Sequence, residues 1–180
     1  MRKYIMICIG LLKLFKGKII NLGKLKTNGI KYYIGKNVRF WIHSGGECDL
    51  GIKTWVSDFC SFEANGGKIM IGYNNFFNTN CRIVSINKII IGDNNLFAPN
   101  VVIVDHKHEY SDPDKLICKQ GMSSSPVKIG SDVWICANVV ITQGITIGNH
   151  IVVAANSVVS EDLLESGLYA GSPAKMVKKL

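Results

Sequence analysis

The chain predicts an all-β solenoid, and three features of its sequence carry that reading. Aliphatic residues recur on a six-residue beat, a small residue follows each of them, and one 21-residue stretch abandons the beat. The period is clearest from residue 129 onward, where Ile129, Ile135, Ile141, Ile147, Val153 and Val159 stand six apart without a gap. Each is followed at once by a small residue, Gly130, Cys136, Thr142, Gly148, Ala154 or Ser160, and four places after the first five stands Val133, Val139, Ile145, Ile151 or Ser157. A helix turning every ~3.6 residues carries such a row around its cylinder and cannot keep it on one face. A short strand plus a corner can. With the aliphatic pointing inward and the small residue easing the turn, three hexads make a triangular coil of about eighteen residues.

Earlier segments follow the theme less strictly. Ile34-Gly35, Leu50-Gly51, Ile71-Gly72 and Ile91-Gly92 open similar units, and Ile71, Phe77, Ile83 and Ile91, Phe97, Ile103 keep the beat, while the register slips at 40–70 and 84–90. Ile34 to Leu164 spans 131 residues. Without the interruption at Asp105–Ser125, 110 remain, or about six coils. A coil stack needs caps at both ends. The expected organisation is a helical amino-terminal cap at 1–30, the solenoid at 31–164 with its protruding loop at 105–125, and a basic tail at 165–180.

Composition bounds the function. A chain of 180 residues with 47% hydrophobic residues and 18 glycines reads as one globular domain, neither disordered nor collagenous. At this length the core needs no metal or cystine to hold it. Six cysteines without a C-x-x-C pair read as reduced and structural. The net charge of +8 attracts polyanions, a phosphorylated cofactor among them. No nucleic-acid-binding module is recognised, and basic residues occur at the amino end, the middle and the tail, so no nucleic-acid partner is expected. The apolar stretch Tyr4–Leu12, flanked by basic residues, is too short to span a bilayer, and no small-residue cleavage site follows it. It reads as a helix packed on the body of the protein, with a peripheral membrane contact and export as alternatives. The expected compartment is the cytoplasm, at the inner face of the membrane if that contact is made.

The interruption is where chemistry is expected, because loops leaving a rigid scaffold commonly carry it. His106 and His108 stand at its root, with Asp105, Glu109 and Asp112 near enough in sequence to orient an imidazole. A zinc site would require these histidines to converge with His43 and His150, and H-x-H is the only close spacing, so no metal is expected.

These residues resemble the hexapeptide-repeat acyltransferases over roughly residues 70–180. The likeness rests on Phe77-Asn78-Thr79-Asn80, on Ile91-Gly92-Asp93-Asn94 through Ala98-Pro99-Asn100, and on the histidine loop. It extends through Ile129-Gly130-Ser131-Asp132-Val133-Trp134-Ile135 and Ala170-Gly171-Ser172-Pro173-Ala174-Lys175. The resemblance, closest to sugar O-acetyltransferases of the galactoside, maltose, nodulation and surface-polysaccharide type, implies a left-handed parallel β-helix of hexapeptide repeats. It also implies a homotrimer with active sites between subunits. Handedness and trimerisation come from the resemblance alone, since left-handed crossovers run against the usual rule for parallel strands.

The same resemblance implies an acetyl-CoA-dependent O-acetyltransferase acting on a sugar or glycan hydroxyl in surface-polysaccharide synthesis. Its general base falls on His108, or on His106 if the local Asp-His-Lys-His is shifted by two. Asn78 matches a residue beside the acceptor pocket, with a purely structural corner role as the alternative. Ile86 stands where galactoside-type enzymes carry an aspartate, so their acceptor cannot be copied over. For the donor, Trp134, Ala137 and Ala155 match positions flanking the pantetheine arm, and Ser160 lies nearer the nucleotide. Lys175, Lys178 and Lys179 match basic residues that meet the CoA phosphates, while Glu161 replaces a frequent lysine. The rival readings are N-acetylation of an amino sugar, an antibiotic acetyltransferase, and a solenoid scaffold that binds nothing small.

Overall fold

The computed structural model describes residues 2–21 and 23–180, with side chains from residue 7 onward. Its strands wind into a parallel β-helix of six coils whose three faces are continuous sheets. Face I stacks Leu25–Thr27, Glu47–Leu50, Lys68–Ile71, Lys88–Ile91, Val127–Ile129 and Thr146–Ile147. Face II stacks Tyr33–Ile34, Trp55–Val56, Phe76–Phe77, Leu96–Phe97, Trp134–Ile135 and Ile151–Val153. Face III stacks Arg39–His43, Ser61–Asn65, Arg82–Ser85, Val102–Val104, Val140–Ile141 and Val158–Val159.

The hexad aliphatics point inward. Ile129 pairs with Ile147, Ile135 with Val153 and Ile141 with Val159, each eighteen residues on, and all six are buried. Toward the amino end the coils are longer: Phe40 pairs with Phe62, twenty-two residues on, and Phe62 with Ile83, twenty-one on. Strands of five residues on face III absorb the excess, which shifts the phase of the beat and explains its fading in the sequence. These wider coils are filled by aromatic rings. Phe77 and Phe97 stack nearly parallel with centroids 4.6 Å apart, and Phe62 meets Phe77 edge-on at 5.3 Å. Each such buried side chain contributes about 1.5–3 kcal/mol, so the ladder outweighs any single loop contact in deciding the fold.

Two devices make the corners. Between faces I and II, glycines let successive coils approach: a Cβ on Gly130 would lie 2.6 Å from the Gly148 carbonyl oxygen of the next coil. Between faces II and III, the left-handed residue is an asparagine. Asn80, Asn100, Asn138 and Asn156 all hold φ of 61–63°, a conformation asparagine tolerates better than most side chains. Their amides form a ladder along this II–III edge, with bonds of 2.8, 2.9 and 3.0 Å. At this corner the small residue after the aliphatic, Cys136 or Ala154, stands two places before the left-handed asparagine, Asn138 or Asn156, where the chain turns. Phe59 occupies the same column at φ 63°, an unusual conformation for so bulky a side chain.

Both ends are closed. Helix α1 (Arg2–Ile20) lies across the first coil, with Leu14 buried and Gly10 and Gly17 against Tyr32 and Leu25. Lys13 Nζ donates to the carbonyls of Ile34 and Gly35, and Asn21 donates to Phe40 O while accepting from Ile42 N. The side chains of Tyr4, Ile5 and Met6, part of the apolar stretch noted above, lie outside the described residues. At the carboxyl end Gly167–Gly171 continues face II, and Ala174–Lys179 returns antiparallel to it.

Candidate active site

The interruption leaves the III–I edge of the fourth coil as an arm. Strand His106–His108 pairs antiparallel with Met122–Ser124, His106 opposite Ser124 and His108 opposite Met122. At its outer end Gln120 gathers the chain, donating to the Asp112 and Lys115 carbonyls and accepting from Asp112 N.

Asp105 anchors the root of the arm. Its fully buried carboxylate accepts from Ser85 Oγ at 2.6 Å, Ile86 N at 2.9 Å and Asn87 N at 3.0 Å, and faces His106 Nδ1 at 3.2 Å. Ser125 N donates to Asp105 O, and Asn87 Nδ2 donates to Ser124 Oγ, so both strands of the arm are tied to the third coil. A buried charge is tolerated only when it is fully hydrogen-bonded, and this one is. With the proton on Nδ1, His106 donates to Asp105 and its Nε2 is left as a base. His106 is one-fifth exposed, whereas His108 is open to solvent and has no carboxylate partner among the described residues. Two buried polar atoms without a partner among the described residues, Ser123 Oγ and Gln143 Oε1, also belong to the arm and its edge.

Most of the other residues matched by resemblance sit elsewhere on the prism. Asn78, Ala137 and Ala155 lie on the II–III edge of coils three, five and six, beside the asparagine ladder. Asn78 Oδ1 accepts from Thr79 N, which is a structural corner role, while its amide nitrogen donates no hydrogen bond among the described residues. Trp134 projects from face II and is about half exposed. Ser160 follows the last strand of face III, on the same edge as the histidines. Within one chain, therefore, both histidines and Ser160 share one edge, and Asn78, Ala137 and Ala155 share another, with face III between them.

At the tail, Lys175 bonds to Glu161 and Lys179 to Glu165 at 3.0 Å, the latter contact raising the Lys179 ammonium above its ordinary range. Lys178 makes no ion pair among the described residues. A groove of about 370 Å³, lined by Arg39, Trp41, Phe59, Asn80 and Arg82, opens on the first three coils without any mark in the hexad pattern. The exposed aromatics and left-handed Phe59 belong to the longer coils, where the faded hexad offered no register by which to align them. Among the described residues no three His, Cys, Asp or Glu side chains gather as a metal site would require.

Comparison with known proteins places this architecture. The bacterial transferase hexapeptide (six repeats) model matches residues 126–161. A maltose O-acetyltransferase from Clostridium difficile 630 is 31% identical, with 91% of this chain and 74% of that one covered and a TM-score of 0.64. This chain belongs to the hexapeptide-repeat acetyltransferases. Its solenoid is the left-handed parallel β-helix that the resemblance implied. A second member of the hexapeptide-repeat acetyltransferases, from Vibrio cholerae O1 biovar eltor and solved with acetyl coenzyme A, is 29% identical at a TM-score of 0.55. It is covered over 70% of its length and covers 83% of this chain. An N-acyltransferase from Bacillus cereus, 19% identical, reaches a TM-score of 0.73 over 91% of this chain and 88% of its own, a likeness of fold alone. No curated protein sequence matches the chain.

Proposed function

We propose that this acetyltransferase moves the acetyl group of acetyl-CoA to a hydroxyl of a sugar in bacterial surface-polysaccharide synthesis, with an arm histidine as general base. The observation that carries the reading is the arm itself: a buried carboxylate pins a two-histidine strand to one edge of the prism, across face III from the edge that bears Asn78, Ala137 and Ala155. On this reading a site needs two copies. One contributes the histidines, its neighbour contributes the small residues along which the pantetheine lies, and a homotrimer supplies three such junctions.

The reaction then runs without a metal. The imidazole takes the proton from the acceptor hydroxyl as that oxygen attacks the thioester carbon, forming the C–O bond. The tetrahedral intermediate collapses, the C–S bond breaks, and the imidazolium returns the proton to the departing thiolate. Asn78 orients the acceptor, Trp134, Ala137 and Ala155 hold the pantetheine, and Ser160, Lys175 and Lys178 meet the nucleotide end. Lys175 must exchange Glu161 for a phosphate to do so. A base of this kind supplies roughly 10² to 10⁴ in rate, and the rest comes from holding donor and acceptor together. His108 is the base by its match to the family motif; the 3.2 Å contact with Asp105 favours His106 as the second reading.

Thiol release from acetyl-CoA, measured with a panel of hydroxyl and amino sugars, tests the acceptor class. Turnover on hydroxyl acceptors supports the reading, and turnover confined to amino sugars replaces it with N-acetylation. His108→Ala and His106→Ala assign the base. Full turnover by both variants would remove the arm from the chemistry, and absence of CoA binding would leave a scaffold.

A further inference from the structure

Cations occur throughout this chain, but anions do not. The first 46 residues hold ten of the 21 Lys and Arg and none of the 13 Asp and Glu, so they carry +10 and the remainder −2. Eight of those ten, from Lys13 to Arg39, have described side chains, and the fold gathers them at one end, in α1, the first coil and the turn between them. Glu47, the first acid, already serves Lys26 at 3.0 Å and Lys68 at 3.8 Å, and those contacts hold its carboxyl below the ordinary range.

The same end presents apolar side chains to solvent. The inner face of α1 is spent on the solenoid through Gly10, Lys13, Leu14, Gly17 and Asn21. Its opposite face carries Ile9, Leu12, Phe15, Ile19 and Ile20, exposed by 46–69%, with Lys16 among them. No described helix is long and apolar enough to cross a membrane. A helix with one face fixed to a protein end, the other apolar, and a surround of uncompensated cations suits lying in an interface plane.

We propose that the outer face of α1 docks on an anionic lipid bilayer, seating the amino end of the solenoid on the membrane surface. The apolar row enters the headgroup boundary, Lys16 extends its ammonium back to the phosphates, and Lys18, Lys24, Lys31 and Lys36 lie on the same end. Each cation within a Debye length of the surface adds about fivefold to the partition coefficient. A second copy is the poorer occupant, because pairing this face with itself brings two +10 ends together. The inference does not rest on the acetyl-transfer reading.

Co-sedimentation of the full-length protein with phosphatidylcholine vesicles, with and without phosphatidylglycerol, tests it. Binding to the anionic vesicles alone, reduced by salt, is expected. Leu12→Gln with Phe15→Gln should weaken it by about tenfold or more, with circular dichroism and sedimenting mass unchanged. Lys16→Glu, which removes no apolar surface, should also weaken it. Failure to bind anionic vesicles, or equal binding by these variants, overturns the proposal. A change of sedimenting mass in the double variant would instead assign the face to a contact between copies.

Discussion

Asp105→Ala strikes the one buried carboxylate on which the arm is hung. It removes the acceptor for Ile86 N and Asn87 N at the turn of the third coil, and for the hydroxyl of buried Ser85. Ser85 has a second acceptor in Lys68 O at 3.4 Å, so the two amides dominate the loss. Hydrogen bonds to a charged group are worth about 1.5–3 kcal/mol each, which sets the cost of the two at about 3–6 kcal/mol. That is a large share of the ~5–15 kcal/mol that holds a typical domain folded. Asp105→Asn keeps the shape and one acceptor oxygen but turns an NH₂ toward a donor, and should cost about half as much. Urea denaturation followed by circular dichroism measures both. In the same variants turnover should fall with the loss of the His106 contact, while the KM for acetyl-CoA changes little. A cost below about 1 kcal/mol for Asp105→Ala, with turnover intact, would refute the assignment of Asp105 as the anchor.

Three further outcomes are expected. Phe59→Gly relieves a left-handed φ of 63° at a side chain more than half exposed, and should raise stability by about 1 kcal/mol in the same denaturation assay. Ile141, fully buried between Ile103 and Val159, should tolerate Ile141→Val at about 1 kcal/mol, whereas Ile141→Asp should abolish the folded circular-dichroism signal. Glu161→Gln frees the Lys175 ammonium, and should lower the KM for acetyl-CoA severalfold if that lysine meets a phosphate; an unchanged KM with unchanged kcat removes Lys175 from the donor site.

The six-residue beat was legible because it is local. Inward or outward placement is decided within each hexad, so Ile129 through Val159 reveal their buried face without knowledge of any neighbour. The interruption was legible for the same reason, as the place where that local rule stops. The longer coils before it hid their register, since a coil of twenty-one or twenty-two residues keeps the inward rule while changing the interval by which it would be recognised.

From sequence alone come the solenoid, the number of coils, the arm, and the residue types able to do chemistry there. Tertiary structure alone decided which edge each of them occupies. It set the histidines and Asn78 on different edges, gave His106 rather than His108 a buried carboxylate, and joined Lys175 to Glu161. It also divided α1 into a face that caps and a face that is free. The physical reason is that stacking brings together residues eighteen to thirty-eight positions apart, and small changes in coil length rotate which of them meet.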